Sequence, residues 1–184
     1  MQELSKEILI KASKGDLEAF EAIYKETAGF VYNVGFRIIN NKHDAEEVTQ
    51  DVFISIYHNL KHFRFQSSFK TWVYRITVNC AINHCRKLSR EKERRREYRD
   101  NLIRLGEDID ELKMEHAEGC FEETVNSFLK VLNPEQKACI VLRSIEGLSY
   151  RQIADTLKVN INTVRTRLKR ARMKLLSLGR KEGE

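Results

Sequence analysis

The chain has 184 residues, with 33 Lys+Arg against 27 Asp+Glu, a formal charge of +6. Its 41% hydrophobic and 33% charged residues suit a globular helical protein, and one Pro with eight Gly excludes an architecture of short strands and tight turns. No apolar run reaches the ~18 residues of a membrane span, the N-terminus lacks a signal-peptide core, and four Cys without short paired spacing exclude a disulfide framework or zinc ribbon, so a cytoplasmic all-α chain is expected.

Residues 3–14 predict a short helix ending at Gly15. Asp16 caps a longer one, with Leu17, Phe20, Ile23, Tyr24, Val31, Val34 and Ile38 at helical spacing. Asn40 and Asn41 break that pattern. A third helix over 44–60 carries Ala45, Val48, Val52, Ile56 and Leu60 on one stripe and Glu46, Glu47, Gln50 and Asp51 on another face. A loop follows with two aromatics expected at the surface, Phe63 and Phe65. A fourth helix then places Phe69, Trp72, Val73, Ile76 and Cys80 on one side. These four helices are expected to close one small domain over 1–88.

From Ser89 the apolar period fades, and 89–121 reads as a charged linker, helical in places, with no core of its own. A second domain over 122–184 follows, and its helix starts can be argued chemically. Asn133-Pro134-Glu135-Gln136 supplies a capping Asn, a Pro at the first helical position and Gln at the third, and Gly147 is expected to stop that helix. Ser149 and Gln152 form a second capping box ahead of inward-facing Ile153, Ala154 and Leu157. After a turn at Lys158-Val159, Asn160 or Asn162 caps a last helix to about Leu178. Two helices joined this way have the dimensions of a helix-turn-helix.

The chemistry lies in how charge and aromatics are distributed. The net charge is +1 over 1–86, +4 over 87–104, −7 over 105–123 and +8 over 124–184, two positive blocks around a negative one. That segmentation suits a protein that meets a polyanion at two places. On the last helix Val164, Leu168, Ala171 and Leu175 form a buried-type stripe. Arg165, Lys169 and Arg172 form another, flanked by Thr166 and Arg170, with no acidic residue from Thr156 through Lys181. Such a helix can enter a major groove, with its first turns on base edges and the rest on phosphates. Between 63 and 75, Phe63, Phe65, Phe69, Trp72 and Tyr74 interleave with Arg64, Lys70 and Arg75, followed by Asn79, Asn83 and Arg86. Aromatics mixed with cations suit single-stranded nucleic acid, and Asn79 offers a donor and an acceptor to a splayed base. By spacing alone, Phe69 and Trp72 fit a core role better than stacking on bases.

These segments carry a resemblance. The chain resembles a bacterial sigma factor of the extracytoplasmic-function group within the sigma-70 family, with only the second and fourth regions. DAEEVTQDVFISIYHNL (44–60) is similar to the family's polymerase-binding helix, and FRFQSSFKTWVYRITVNCAINHCRK (63–87) to its promoter-melting and minus-10-reading segment. LNPEQKACIVLRSIEGLSYRQIADTLKVNINTVRTRLKRARMKL (132–175) is similar to its minus-35-reading helix-turn-helix. The resemblance implies two helical domains that bind core RNA polymerase and promoter DNA. Glu47, Gln50, Asp51 and Phe53 would contact the polymerase clamp. Phe63, Phe65, Lys70, Trp72, Arg75, Asn79, Asn83 and Arg86 would hold the opened minus-10 strand, with Phe63 and Asn79 at a flipped-base pocket and Trp72 packed beneath it. Arg165, Thr166, Lys169, Arg170 and Arg172 would face the minus-35 duplex, and the acidic linker would thread toward the RNA-exit path. It further implies an anti-sigma factor partner, no catalytic residues, no cofactor, no small-molecule substrate and no membrane insertion.

The sequence departs from the family pattern at Asn83, where many members carry Asp, at Asn162, where Gly is usual, and at Thr166, where Ser is commoner. These departures bear on promoter sequence, because a direct base contact sets specificity at about 1–3 kcal/mol. A stand-alone helix-turn-helix regulator is the rival reading, but it leaves 44–79 without a purpose. Cys80, His84 and Cys85, and His116 with Cys120, have spacings that could hold part of a metal site; each set lacks an evident fourth ligand, and packing is the favoured account.

Overall fold

A computed structural model describes residues 4–104, 129 and 131–179 of the protein. Seven α-helices, and no strand, occur among them: α1 Lys6–Ser13, α2 Leu17–Ile39, α3 Lys42–Asn59, α4 Phe69–Arg104, α5 Pro134–Ile140, α6 Tyr150–Leu157 and α7 Ile161–Gly179. None of these helices is long and apolar enough to cross a membrane.

Local chemistry sets most helix starts. The Ser5 hydroxyl, Asp16 carboxylate and Asn41 amide oxygen each accept from the backbone N–H three residues on, opening α1, α2 and α3. Asn40 ends α2 in the left-handed region at φ 61, a conformation Asn tolerates better than other side-chained residues. The adjacent Asn pair therefore closes one helix and opens the next. Ser68 opens α4 in the same way, its Oγ accepting from Thr71 N at 3.1 Å.

Helices α2, α3 and α4 pack mutually, with α1 laid on α2, around Ile23, Val31, Val34, Ile38, Val48, Val52, Ile56, Val73 and Val78. The α3 stripe from Ala45 to Leu60 is buried throughout. Two positions of the α2 stripe are exposed, Leu17 at 70% and Tyr24 at 47%, and Phe20 is half-buried. Leu17 is the first residue of its helix, and Tyr24 lies at the edge of the buried arc, leaning on Phe53 at 4.6 Å between ring centroids. Helix α4 continues well past the first domain's core into the segment expected as a linker, and residues 92–99 along it are exposed.

Both capping boxes of the second half form, with Asn133 exchanging hydrogen bonds with Gln136 and Ser149 with Gln152. Beyond α5 the chain does not stop at once but widens into a π-helical turn over Val141–Ile145, where Glu146 N donates to Val141 O. Gly147 then leaves at φ +70, and Leu148 N closes back on Leu142 O. Ile153, Ala154, Leu157, Val164, Leu168 and Ala171 are buried where α5, α6 and α7 meet. Ser149→Ala should lower stability by about 1 kcal/mol and the melting temperature by about 2–4 °C, read by thermal unfolding. An unchanged melting temperature would mean that water caps α6 equally well.

The two halves touch. Helices α2 and α4 pack against α5, the π turn and α6, and buried residues of both halves join in one apolar cluster.

Candidate nucleic-acid interface

On α4, Trp72, Arg75, Asn79, Asn83 and Arg86 recur every three or four residues and so lie on one stripe of about 21 Å. At its N-terminal head the aromatics cluster. The Phe63 ring lies 4.8 Å from Phe65, 5.1 Å from Trp72 and 5.8 Å from Phe69, centroid to centroid. Phe69 is buried and Phe63 and Trp72 are half-buried, so Phe63 is less exposed than its loop position suggests. Phe65 is exposed, held at φ 55, with the Lys6 ammonium 5.1 Å from its ring centroid. The contact from α1 is a feature sequence spacing gave no sign of.

Below the aromatics, Asn79 is half-buried and Asn83 exposed. Arg75 is half-buried, its Nε buried without a hydrogen bond. Lys70 lies off the stripe, its Nζ 5.5 Å from the Phe30 ring centroid. The head thus presents ring faces and amide edges, and the tail a guanidinium.

On α3, Glu46, Glu47, Gln50 and Asp51 are exposed together. Phe53, expected to share their surface, is only 6% exposed and packs against α2. Its burial is a correction with a simple cause: α3 is covered by α2 on one side and α4 on the other, so its buried arc is wider than one stripe. Ile54 and Tyr57, 57% and 45% exposed, are the apolar side chains this helix presents. His84, from α4, brings Nε2 to 3.3 Å from Asp44 Oδ1, without hydrogen-bond alignment.

Among the described residues, His43, Asp44 and Glu47 bring their donor atoms within 4.8 Å of one another at the head of α3, where negative charge also suits the helix dipole. The Cys80, His84 and Cys85 spacing does not gather into such a group; His116 and Cys120 lie outside the described residues. Burial raises the Cys80 and Cys85 thiols, aided at Cys80 by the Asp51 carboxylate, and pushes buried Cys139 up to about 11 against the pull of Arg167. All three are therefore protonated and poorly nucleophilic at neutral pH.

The last two helices meet at a three-residue turn in which Lys158 adopts φ 52 and Asn160 accepts from Asn162 N. Arg165, Thr166, Lys169, Arg170 and Arg172 are all exposed on α7, opposite buried Val164, Leu168 and Ala171. Arg165 Nη1 donates to Asn162 Oδ1 at 3.0 Å, which fixes the guanidinium near the start of the helix. Arg167, on the inner side, instead faces Cys139 and Glu135.

The sigma-70 region 2 model matches residues 23–91 and the sigma-70 region 4 model residues 123–175. The ECF RNA polymerase sigma factor SigE of Mycolicibacterium smegmatis is 31% identical over 86% of this chain and 61% of its own length. The RNA polymerase sigma-H factor of Pseudomonas aeruginosa is 30% identical over 93% of this chain and 91% of its own. The chain belongs to the sigma-70 family, in its extracytoplasmic-function group. It is a sigma factor that directs RNA polymerase to promoters. The stand-alone regulator reading falls here, because the region 2 match covers the very segment that reading leaves unused. Among solved structures, the sigma factor RpoE of Bartonella quintana, in complex with the anti-sigma factor NepR, superposes with a TM-score of 0.60 at 22% identity. That match covers 88% of this chain and 96% of that one, and supports the all-α fold.

Proposed function

We propose a division of labour within this sigma factor. The domain over 1–88 docks on core RNA polymerase through Glu47, Gln50 and Asp51 and captures the opened minus-10 strand along α4. There Phe63, Phe65 and Trp72 form the stacking head, Asn79 and Asn83 read base edges, and Lys70, Arg75 and Arg86 meet phosphates. The domain over 122–184 grips the minus-35 duplex with α7, Arg165 and Thr166 nearest the base edges and Lys169, Arg170 and Arg172 on the backbone. The 89–121 linker, negative in its second half, joins the two and threads toward the polymerase RNA-exit path. The protein itself carries no catalytic residues and no cofactor; RNA synthesis belongs to the polymerase, in the cytoplasm. An anti-sigma factor of the kind seen with the Bartonella relative completes the set of partners.

The observation that carries this reading is α7: five exposed polar or cationic side chains with no carboxylate among them, set opposite buried Val164, Leu168 and Ala171. Stacking on aromatics and one flipped base together offset an unpairing cost of a few kcal/mol. The test is transcription in vitro from a genomic fragment library, with core polymerase alone or with the protein, mapping transcript starts. New starts sharing two upstream elements are expected. On such a promoter, Arg165→Ala should weaken minus-35 binding by about 1–3 kcal/mol, whereas Asn79→Ala should leave it alone and slow open-complex formation. Equal loss of duplex affinity in both variants, with melting untouched, would sink the division of labour.

A further inference from the structure

At the head of α3, imidazole and carboxylate groups approach one another from two helices. Among the described residues, His43, Asp44 and Glu47 hold their donor atoms within 4.8 Å of one another. His43 and Glu47 are exposed, and the Asp44 side chain is 23% exposed. Such a cluster is common on protein surfaces and says little alone. The second observation comes from α4. The His84 side chain is only 8% exposed and its buried Nε2 makes no hydrogen bond, yet that atom lies 3.3 Å from Asp44 Oδ1.

A buried ring nitrogen without a partner loses its hydration and gains nothing in return. A hydrogen-bonded pair would line up the His84 N–H with the carboxylate, and the geometry does not do so. Two atoms bound to one ion behave otherwise, because both aim their lone pairs at the ion and not at each other. In tetrahedral zinc, with bonds of about 2.0–2.1 Å, neighbouring ligand atoms stand about 3.3–3.4 Å apart. The separation of His84 Nε2 from Asp44 Oδ1 matches that edge. His43 and Glu47 lie four positions apart on one face of α3, and both are exposed, so rotation of their side chains closes the remaining gap.

We propose that His43, Asp44 and Glu47 of α3 and His84 of α4 form a site for one divalent ion of the zinc class, which clasps the two helices. Imidazole donors favour zinc, nickel or copper over calcium and magnesium. Two carboxylates balance the charge of a divalent cation, which matters where one ligand is buried. The ion is structural and takes no part in RNA synthesis. Glu47 also belongs to the proposed docking face, so the test reads metal binding by the free protein and not transcription.

The full chain, stripped with a chelator and kept reduced, is titrated with Co2+, whose visible absorption reports coordination, and then with Zn2+. One Co2+ per chain should bind with the intense visible bands of a four-coordinate site and without a thiolate charge-transfer band, and Zn2+ should displace it. His43→Ala and His84→Ala should each weaken binding roughly tenfold or more. His84→Phe, which fills the ring's volume without a donor atom, should do the same and guards against loss through a cavity. His58→Ala, at the far end of α3, should bind like the wild type. Zinc at about a hundred times its Kd should raise the melting temperature by about 5–10 °C, and by about half as much or less in His43→Ala. Binding only at millimolar metal, a thiolate band marking ligation by cysteine, or unchanged affinity in His43→Ala would overturn the site. Loss in His43→Ala with none in His84→Phe would overturn the clasp between the helices.

Discussion

Leu168→Ala should destabilise the second domain by about 2–5 kcal/mol and remove minus-35 binding, although Leu168 touches no DNA. Leu168 is 1% exposed and sits between Val164 and Ala171, both fully buried, where α7 crosses α5 and α6. Truncation leaves a cavity on the buried face that α7 turns to α5 and α6, and α5, seven residues long, is too short to hold itself without that packing. Its neighbour supplies the contrast. Lys169 is exposed, so Lys169→Ala should leave the melting temperature within about 1 °C while weakening duplex binding. Thermal unfolding and duplex binding by fluorescence anisotropy, run on both variants, separate the two effects. A Leu168→Ala protein that melts with the wild type would mean the domain repacks around the loss.

What could be read from sequence here follows the range of the forces involved. The starts at Asp16, Asn133 and Ser149 were legible because each cap bonds a backbone group three residues away, and nothing distant overrides it. The α7 stripe was legible because that helix buries one narrow face. Phe53, which the resemblance places at the polymerase contact, is buried because α3 lies between two helices, and position 53 falls inside an arc wider than the stripe from Ala45 to Leu60. Tyr24 is the complementary case, an aromatic at helical spacing that falls just outside the arc. The π turn at 141–145 has no marker in its residues beyond Gly147. The Arg86–Glu135 and Arg37–Glu146 pairs join residues 49 and 109 positions apart, and no local pattern distinguishes them from solvated charges.

Duplex binding by this sigma factor should fall steeply with salt, and one substitution should change the slope rather than only the affinity. If Lys169, Arg170 and Arg172 each neutralise a phosphate, the slope of log K against log salt from α7 is about −2.7, so affinity drops about 40-fold between 50 and 200 mM. Arg172→Ala removes one such contact and should reduce the slope by about 0.9, cutting the same drop to about 12-fold. Arg165→Ala should behave differently. Its guanidinium is steered by Asn162 at the entry of the helix, so it should lose affinity for one base at one position and leave the slope nearly unchanged. Anisotropy titrations at four salt concentrations, on the promoter found by start mapping and on a scrambled duplex, distinguish the two. Identical slopes for the wild type and Arg172→Ala would show that Arg172 neutralises no phosphate, and the basic face of α7 would then end at Arg170.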